Sequence, residues 1–209
     1  MLRSHRRLEE GRFLATRIRR QSAGSGGSRR TYIIVGAIAV LFVAGFIALA
    51  VLDARQQSAS GAPDDVKTYD VGAAGKHTEG DVDYEQSPPV GGPHNPVWQN
   101  CGFYDKPVRD ENAVHSLEHG AVWITYSPDL PQDQVNELRT TAQSQSYILV
   151  SPYPDLPSNT PVVASAWGKQ VLLDGADDPD LESFIKAYRQ GPQTPEPGAV
   201  CTGGTGATQ

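Results

Sequence analysis

The chain has 209 residues, with 18 Lys+Arg against 24 Asp+Glu, two cysteines and a single methionine, Met1. This length holds one domain with accessories, and the scarcity of sulfur excludes a methionine-rich Cu(I) carrier. Charge is unevenly divided: residues 56–209 carry 8 Lys+Arg and 21 Asp+Glu, a net of −13, which excludes nucleic acid as the partner of that part.

Residues 1–31 are a basic arm with nine arginines and two glutamates, ending in a Gly/Ser-rich linker. Residues 32–52 follow as 21 uncharged positions, nearly all apolar. At about 1.5 Å per residue in a helix, such a run spans a hydrocarbon core of about 30 Å. It predicts a transmembrane helix acting as a signal anchor. A cleaved signal peptide, cut after Ala48-Leu49-Ala50, is the competing reading, but its apolar region is usually shorter, about 7–15 residues. The arginine excess before the run places the N-terminus in the cytoplasm, and the C-terminal bulk extracytoplasmic, in a single-pass cell-membrane protein. Residues 53–66 read as a linker, 67–204 as the extracytoplasmic domain and 205–209 as a disordered tail.

The first part of the domain, to about Asn112, is rich in Gly, Pro and Asp and reads as long loops packed by Tyr84, Trp98, Phe103 and Tyr104. The second part is regular. Residues 121–126 predict a strand, and Val135, Leu138 and Ala142 recur at helical spacing. Residues 147–150 predict the next strand, so that a strand-helix-strand unit makes a crossover between parallel strands. Residues 162–167 and 170–173 flank a short turn and read as a hairpin. Asp178-Pro179 opens a last helix with an apolar stripe of Leu181, Phe184, Ile185 and Tyr188, stopped at Gly191-Pro192. The order β-α-β-β-β-α predicts an α+β fold, an open α/β sandwich with helices over one sheet face, preceded by a Pro/Gly-rich loop region.

The two cysteines, Cys101 and Cys201, lie beyond the apolar run, and in an oxidising compartment they are expected to pair. Without a Cys-x-x-Cys, a thioredoxin-type reaction has no support. A thiolate metal ligand at Cys101, or a redox role, is the other reading.

Three of the five histidines, His94, His115 and His119, fall within one short window. His115 and His119 are four apart, so on a helix both imidazoles face one way, with Glu118 beside them. His-x-x-Glu-His is also the arrangement of inverted zinc peptidases. Here Gly120 and a strand follow at once, and a third ligand downstream is lacking. The broader expectation is a metal site of His94, His115, His119 and Glu118, with Glu111 as another oxygen ligand or an outer partner. Imidazole and carboxylate suit Zn or Cu(II). His77 is expected to be an exposed residue outside the set, and His5 lies on the other side of the membrane. The alternative is that these histidines only hydrogen-bond backbone carbonyls and stabilise the loops.

The segments Pro88–Tyr104 (PPVGGPHNPVWQNCGFY) and Asn112–Val122 (NAVHSLEHGAV), with Pro152-Tyr153-Pro154 and Ala166-Trp167-Gly168, resemble a bacterial family known as domain of unknown function 3105. The resemblance covers about Thr68 to Cys201. It implies one N-terminal membrane segment and an exported domain, and implies no activity. The leading expectation is therefore a membrane-anchored extracytoplasmic domain that binds a transition metal, in metal handling or with an envelope protein partner. A non-catalytic protein-interaction module with structural histidines is second, and a metal-dependent hydrolase third.

Overall fold

The computed structural model of the chain describes residues 32–43, 45 and 61–209. The chain divides into two units, Met1–Leu49 and Ala50–Gln209. In the first, residues 32–43 and 45 are helical, and large apolar side chains such as Leu41 and Phe42 are exposed. Among the described residues no helix is long and apolar enough to cross a membrane. Most of the second half of the predicted span 32–52, the basic arm 1–31 and residues 53–60 of the linker lie outside the described residues.

Among its described residues the second unit is a six-stranded mixed sheet with three helices. Its strands are β1 (Lys67–Thr68), β2 (Gly102–Phe103), β3 (Val122–Tyr126), β4 (Ile148–Pro152), β5 (Val162–Ala166) and β6 (Lys169–Leu173). The helices are α1 (Asp110–Glu118), α2 (Gln132–Ser144) and α3 (Pro179–Tyr188). Strand order is β1-β6-β5-β3-β4-β2. The predicted strand-helix-strand unit is β3-α2-β4, and its strands pair in parallel from Val122 opposite Ile148 to Tyr126 opposite Pro152. β5 and β6 form the expected hairpin, with Ala166 opposite Lys169, and β5 lies antiparallel to β3. The edge strands β1 and β2 have two residues each, too few for any periodicity to show in the sequence.

Side-chain alternation along β3 separates two cores. Val122, Ile124 and Tyr126 face α2 and α3 and pack with Val135, Leu138, Phe184 and Ile185. Asp178 caps α3 as predicted, its carboxylate accepting the Asp180 N–H at 3.0 Å. Trp123 points the other way, with Leu149, and packs under Ala113, Val114 and Leu117 of α1. The expectation of helices over one face is thus corrected. Both faces of the sheet are covered, because α1 supplies an apolar side for the second.

The C-terminal residues also depart from expectation. Rather than trailing as a disordered tail, they run beside residues 98–101: Thr205 N–H donates to the Trp98 carbonyl at 2.9 Å and Asn100 N–H to the Thr205 carbonyl at 2.8 Å. Gln99 Nε2 donates to the Ala207 carbonyl at 3.1 Å. Cys101 and Cys201 form a disulfide, with Cα atoms 5.4 Å apart.

Candidate metal centre

Helix α1 is the platform of the site. It begins after Arg109 without a side-chain cap, and Asp110 and Glu111 in its first turn suit the positive end of the helix dipole. It ends in a paired C-terminal turn in which Gly120 N–H donates to Leu117 O and Ala121 N–H to Ser116 O, both at 2.9 Å. That closure requires a left-handed residue after the cap, and Gly120 has φ 93°. A Cβ there would meet the Gln190 Cα at 3.1 Å. The early stop that the sequence suggests is therefore real, yet nine residues suffice to present two ligands.

Every residue from Glu111 to Glu118 is buried. Ala113, Val114 and Leu117 face the sheet, while Glu111, His115 and Glu118, spaced i, i+4 and i+7, form a polar stripe on one face. That stripe meets the long loop region. His115 Nδ1–H donates to the Asn95 carbonyl at 2.6 Å. Glu118 accepts the Gly75 N–H on Oε1 at 2.6 Å and faces His94 Nε2 with Oε2 at 3.0 Å. His94 Nδ1–H donates to the Gly92 carbonyl at 2.8 Å. Segments 76–78 and 94 pair through backbone bonds, Thr78 N–H to His94 O at 2.7 Å and His94 N–H to Lys76 O at 2.9 Å. This bridge sets His77 against the other histidines, with ring centroids 5.0 Å from those of both His94 and His115.

The result is a cluster of His77, His94, His115 and Glu118 in which one ligand atom from each lies within 4.8 Å of all the others. His94 and Glu118 have fully buried side chains, and His77 is 42% exposed with Nε2 at 4.0 Å from Glu118 Oε2. Around an ion bound at about 2.0–2.2 Å, tetrahedral ligand atoms sit about 3.4 Å apart. His77 would close its distance to Glu118 with a shift of under about 1 Å.

The donor chemistry is orderly. His94 and His115 each spend Nδ1 on a backbone carbonyl, which fixes the tautomer and directs an Nε2 lone pair inward, as outer partners do for metal-bound imidazoles. Burial pushes the His115 ring down to about 4, so it is a neutral donor at physiological pH, although its bond to Asn95 opposes the shift. Burial also works against protonation of His94, but the Glu118 hydrogen bond and the Gly92 carbonyl hold its pKa above the ordinary value. Burial would raise Glu118, yet the His94 bond and the Gly75 N–H keep its carboxyl below the usual range. With Nδ1–H committed to Gly92, the short Nε2–Oε2 contact needs a shared positive charge, supplied by a proton or by a cation.

His119 is not in the cluster. Its Nδ1–H donates to the Val200 carbonyl at 2.7 Å, and its Nε2 is 3.6 Å from Glu196 Oε2. On the helix cap its ring packs edge-on against His115, with centroids 4.6 Å apart, and against Trp98 at 5.0 Å. Glu111 also lies outside, with its carboxylate engaged by Val82 N–H and Arg109. His77 replaces them. Nothing near His77 in the sequence marks it, because its place depends on backbone pairing with a residue 17 positions later.

Fold and site together define a mixed α+β domain with a buried histidine–carboxylate cluster beneath its loop layer. The chain belongs to the family described as "Protein of unknown function (DUF3105)", whose model matches residues 76–203. The matched span contains all four cluster residues and both cysteines. No curated protein and no solved structure matches the chain.

Proposed function

We propose that this protein is a membrane-anchored, extracytoplasmic domain that binds one transition metal ion, Zn or Cu(II), through His77, His94, His115 and Glu118. The observation that carries the reading is the convergence of three imidazoles and a carboxylate within 4.8 Å, with two of the rings oriented by carbonyls behind them. Three nitrogens and one oxygen without sulfur suit Zn or Cu(II) over Cu(I). Four protein donors fill a tetrahedral shell, which favours holding or passing on an ion over hydrolysing a substrate, since catalytic zinc keeps a position open for water. The disulfide supports an oxidising compartment, and the apolar run 32–52 with its basic flank supports a single-pass anchor with the N-terminus in the cytoplasm. Handing the ion on would involve a protein partner in the envelope, reached at the half-exposed His77.

A protein-interaction module with structural histidines is favoured by one observation, the self-satisfied His94–Glu118 bond at 3.0 Å. The two readings separate on elemental analysis of the full-length chain, purified without chelator or affinity histidines. The metal reading expects near-stoichiometric Zn or Cu that disappears in His115→Ala. A metal-free protein that takes up neither ion on titration would leave the interaction module.

A further inference from the structure

Resting on the metal reading above, we propose that Glu111 is a positioning residue for the metal centre. It is not a ligand. It sets where His77 stands by clamping the loop that carries it.

His77 is the one cluster member without a buried side chain. Its loop has little apolar anchorage, for no residue from Val71 to Ser87 is buried. Gly72 and Gly75, both left-handed at φ 73° and 71°, leave its path to be set by polar contacts. Lys76 and Thr78 on either side of His77 pair with the His94 backbone, and the side-chain contact N-terminal to that bridge is Gly75 N–H on Glu118. On its C-terminal side, at residues 79–82, it is Glu111. Glu111 Oε1 accepts the Val82 N–H at 2.8 Å, and Oε2 holds Arg109 Nε at 2.8 Å. Arg109 Nη2 then donates to the Glu79 carbonyl at 3.2 Å and to Asp81 Oδ1 at 2.9 Å. One carboxylate thus grips residues 79–82 twice, directly and through Arg109.

Glu111 sits one turn before His115 and two before Glu118 on the same face of α1. The helix therefore fixes both the two ligands it owns and the distance at which the His77 loop is held from them. Glu111 is 5% exposed, so its own carboxylate is screened by water and salt less than a surface one, while Arg109 and Asp81 reach the solvent. Outer partners of this kind change metal affinity by about 10–100-fold.

The test is a competition titration of Zn against a chromophoric chelator, on the full-length chain and on His77→Ala, Glu111→Ala and the double variant. Glu111→Ala is expected to weaken Zn binding about 10–100-fold. In the His77→Ala background the same change is expected to do nothing further, because Glu111 acts only through His77. Cu(II) spin resonance is expected to show the same loss of one imidazole nitrogen in Glu111→Ala as in His77→Ala. Glu111→Gln keeps the volume and the acceptor for Val82 but loses Arg109, so a smaller weakening, again absent without His77, is expected even where Glu111→Ala fails to fold. Effects of Glu111 and His77 that multiply, or affinity within about threefold of wild type in both Glu111 variants, would overturn the assignment, since either falls outside what an outer partner does. Failure of the wild-type chain to bind Zn or Cu(II) would overturn the metal reading itself and this inference with it.

Discussion

Glu118→Gln separates the charge of the carboxylate from its shape. In the wild type Oε1 accepts the Gly75 N–H at 2.6 Å and Oε2 meets His94 Nε2 at 3.0 Å, with Glu118 fully buried. A glutamine keeps an oxygen for Gly75 and turns its amide toward His94, whose ring can then be neutral and accept at Nε2. A charge-assisted bond is exchanged for a neutral one, a loss of about 1–1.5 kcal/mol. For a domain of this size that is roughly 2–6 °C in Tm. Glu118→Ala instead leaves His94 without its partner, which costs about 3–5 kcal/mol for a broken buried pair. The metal changes the comparison. At a free concentration 100 times Kd the wild type is expected to gain about 2.7 kcal/mol, or roughly 5–10 °C. Glu118→Gln has no anionic oxygen to offer and is expected to gain under about 2 °C. Thermal unfolding followed by circular dichroism at neutral pH, with and without Zn, reads both numbers. A glutamine variant that keeps the full metal-induced shift would refute Glu118 as a ligand. One as unstable as the alanine variant without metal would refute the hydrogen-bond exchange.

Three further outcomes are expected. His119→Ala is expected to keep Zn affinity within a few-fold of wild type while His77→Ala weakens it about 10–100-fold, because His119 is held by Val200 and faces Glu196; isothermal titration of the two variants checks this. Replacing Cys101 and Cys201 by serine opens a loop with a sequence separation of 100 residues and is expected to cost about 4–5 kcal/mol in the chain-entropy account, a fall in Tm on the order of 10–15 °C. Burial, reinforced by Glu111 and Asp155 against the Tyr153 hydrogen bond, pushes Asp110 up to about 6. A raised carboxyl pKa favours the folded state below the unfolded value of about 3.9, and that contribution is lost as pH rises through about 6. Asp110→Asn is therefore expected to gain stability relative to wild type between about pH 4 and pH 6 and to hold that gain above it, as read by Tm against pH.

What could be read in advance follows from where the physical signal is local. Val135, Leu138 and Ala142 announce α2 by spacing alone, and Asp178-Pro179 announces the start of α3. The strands β3 to β6 show in their β-branched and aromatic runs. The loop layer carries no such signal, because its order is polar and nonlocal: His94 rests on Gly92 and Glu118, Gln99 on Ala207, and His77 on the backbone of His94. Composition suggested a loose C-terminus, yet Thr205 pairs with the backbone of Trp98 and Asn100. At the site, the spacing of His115 and His119 suggested two ligands on one helix face. His119 instead is the C-cap, where the chain turns away, and Glu118, one residue earlier, takes the inward position. The stripe of Glu111, His115 and Glu118 was present in the letters, but only the covering loops show what it is for.

The order of the four cluster residues along the chain has a consequence in time. His77, His94, His115 and Glu118 all precede β3, and the apolar side of α1 rests on Trp123 and Leu149, which are synthesised afterwards. The imidazoles leave the ribosome first, but the surface that aligns them exists only once the following strands have paired. The centre is thus complete only in the folded domain, whatever its residues' place in the queue. If the chain crosses a membrane unfolded, no ion can travel in the finished site, and a metal bound there would be one met on the far side.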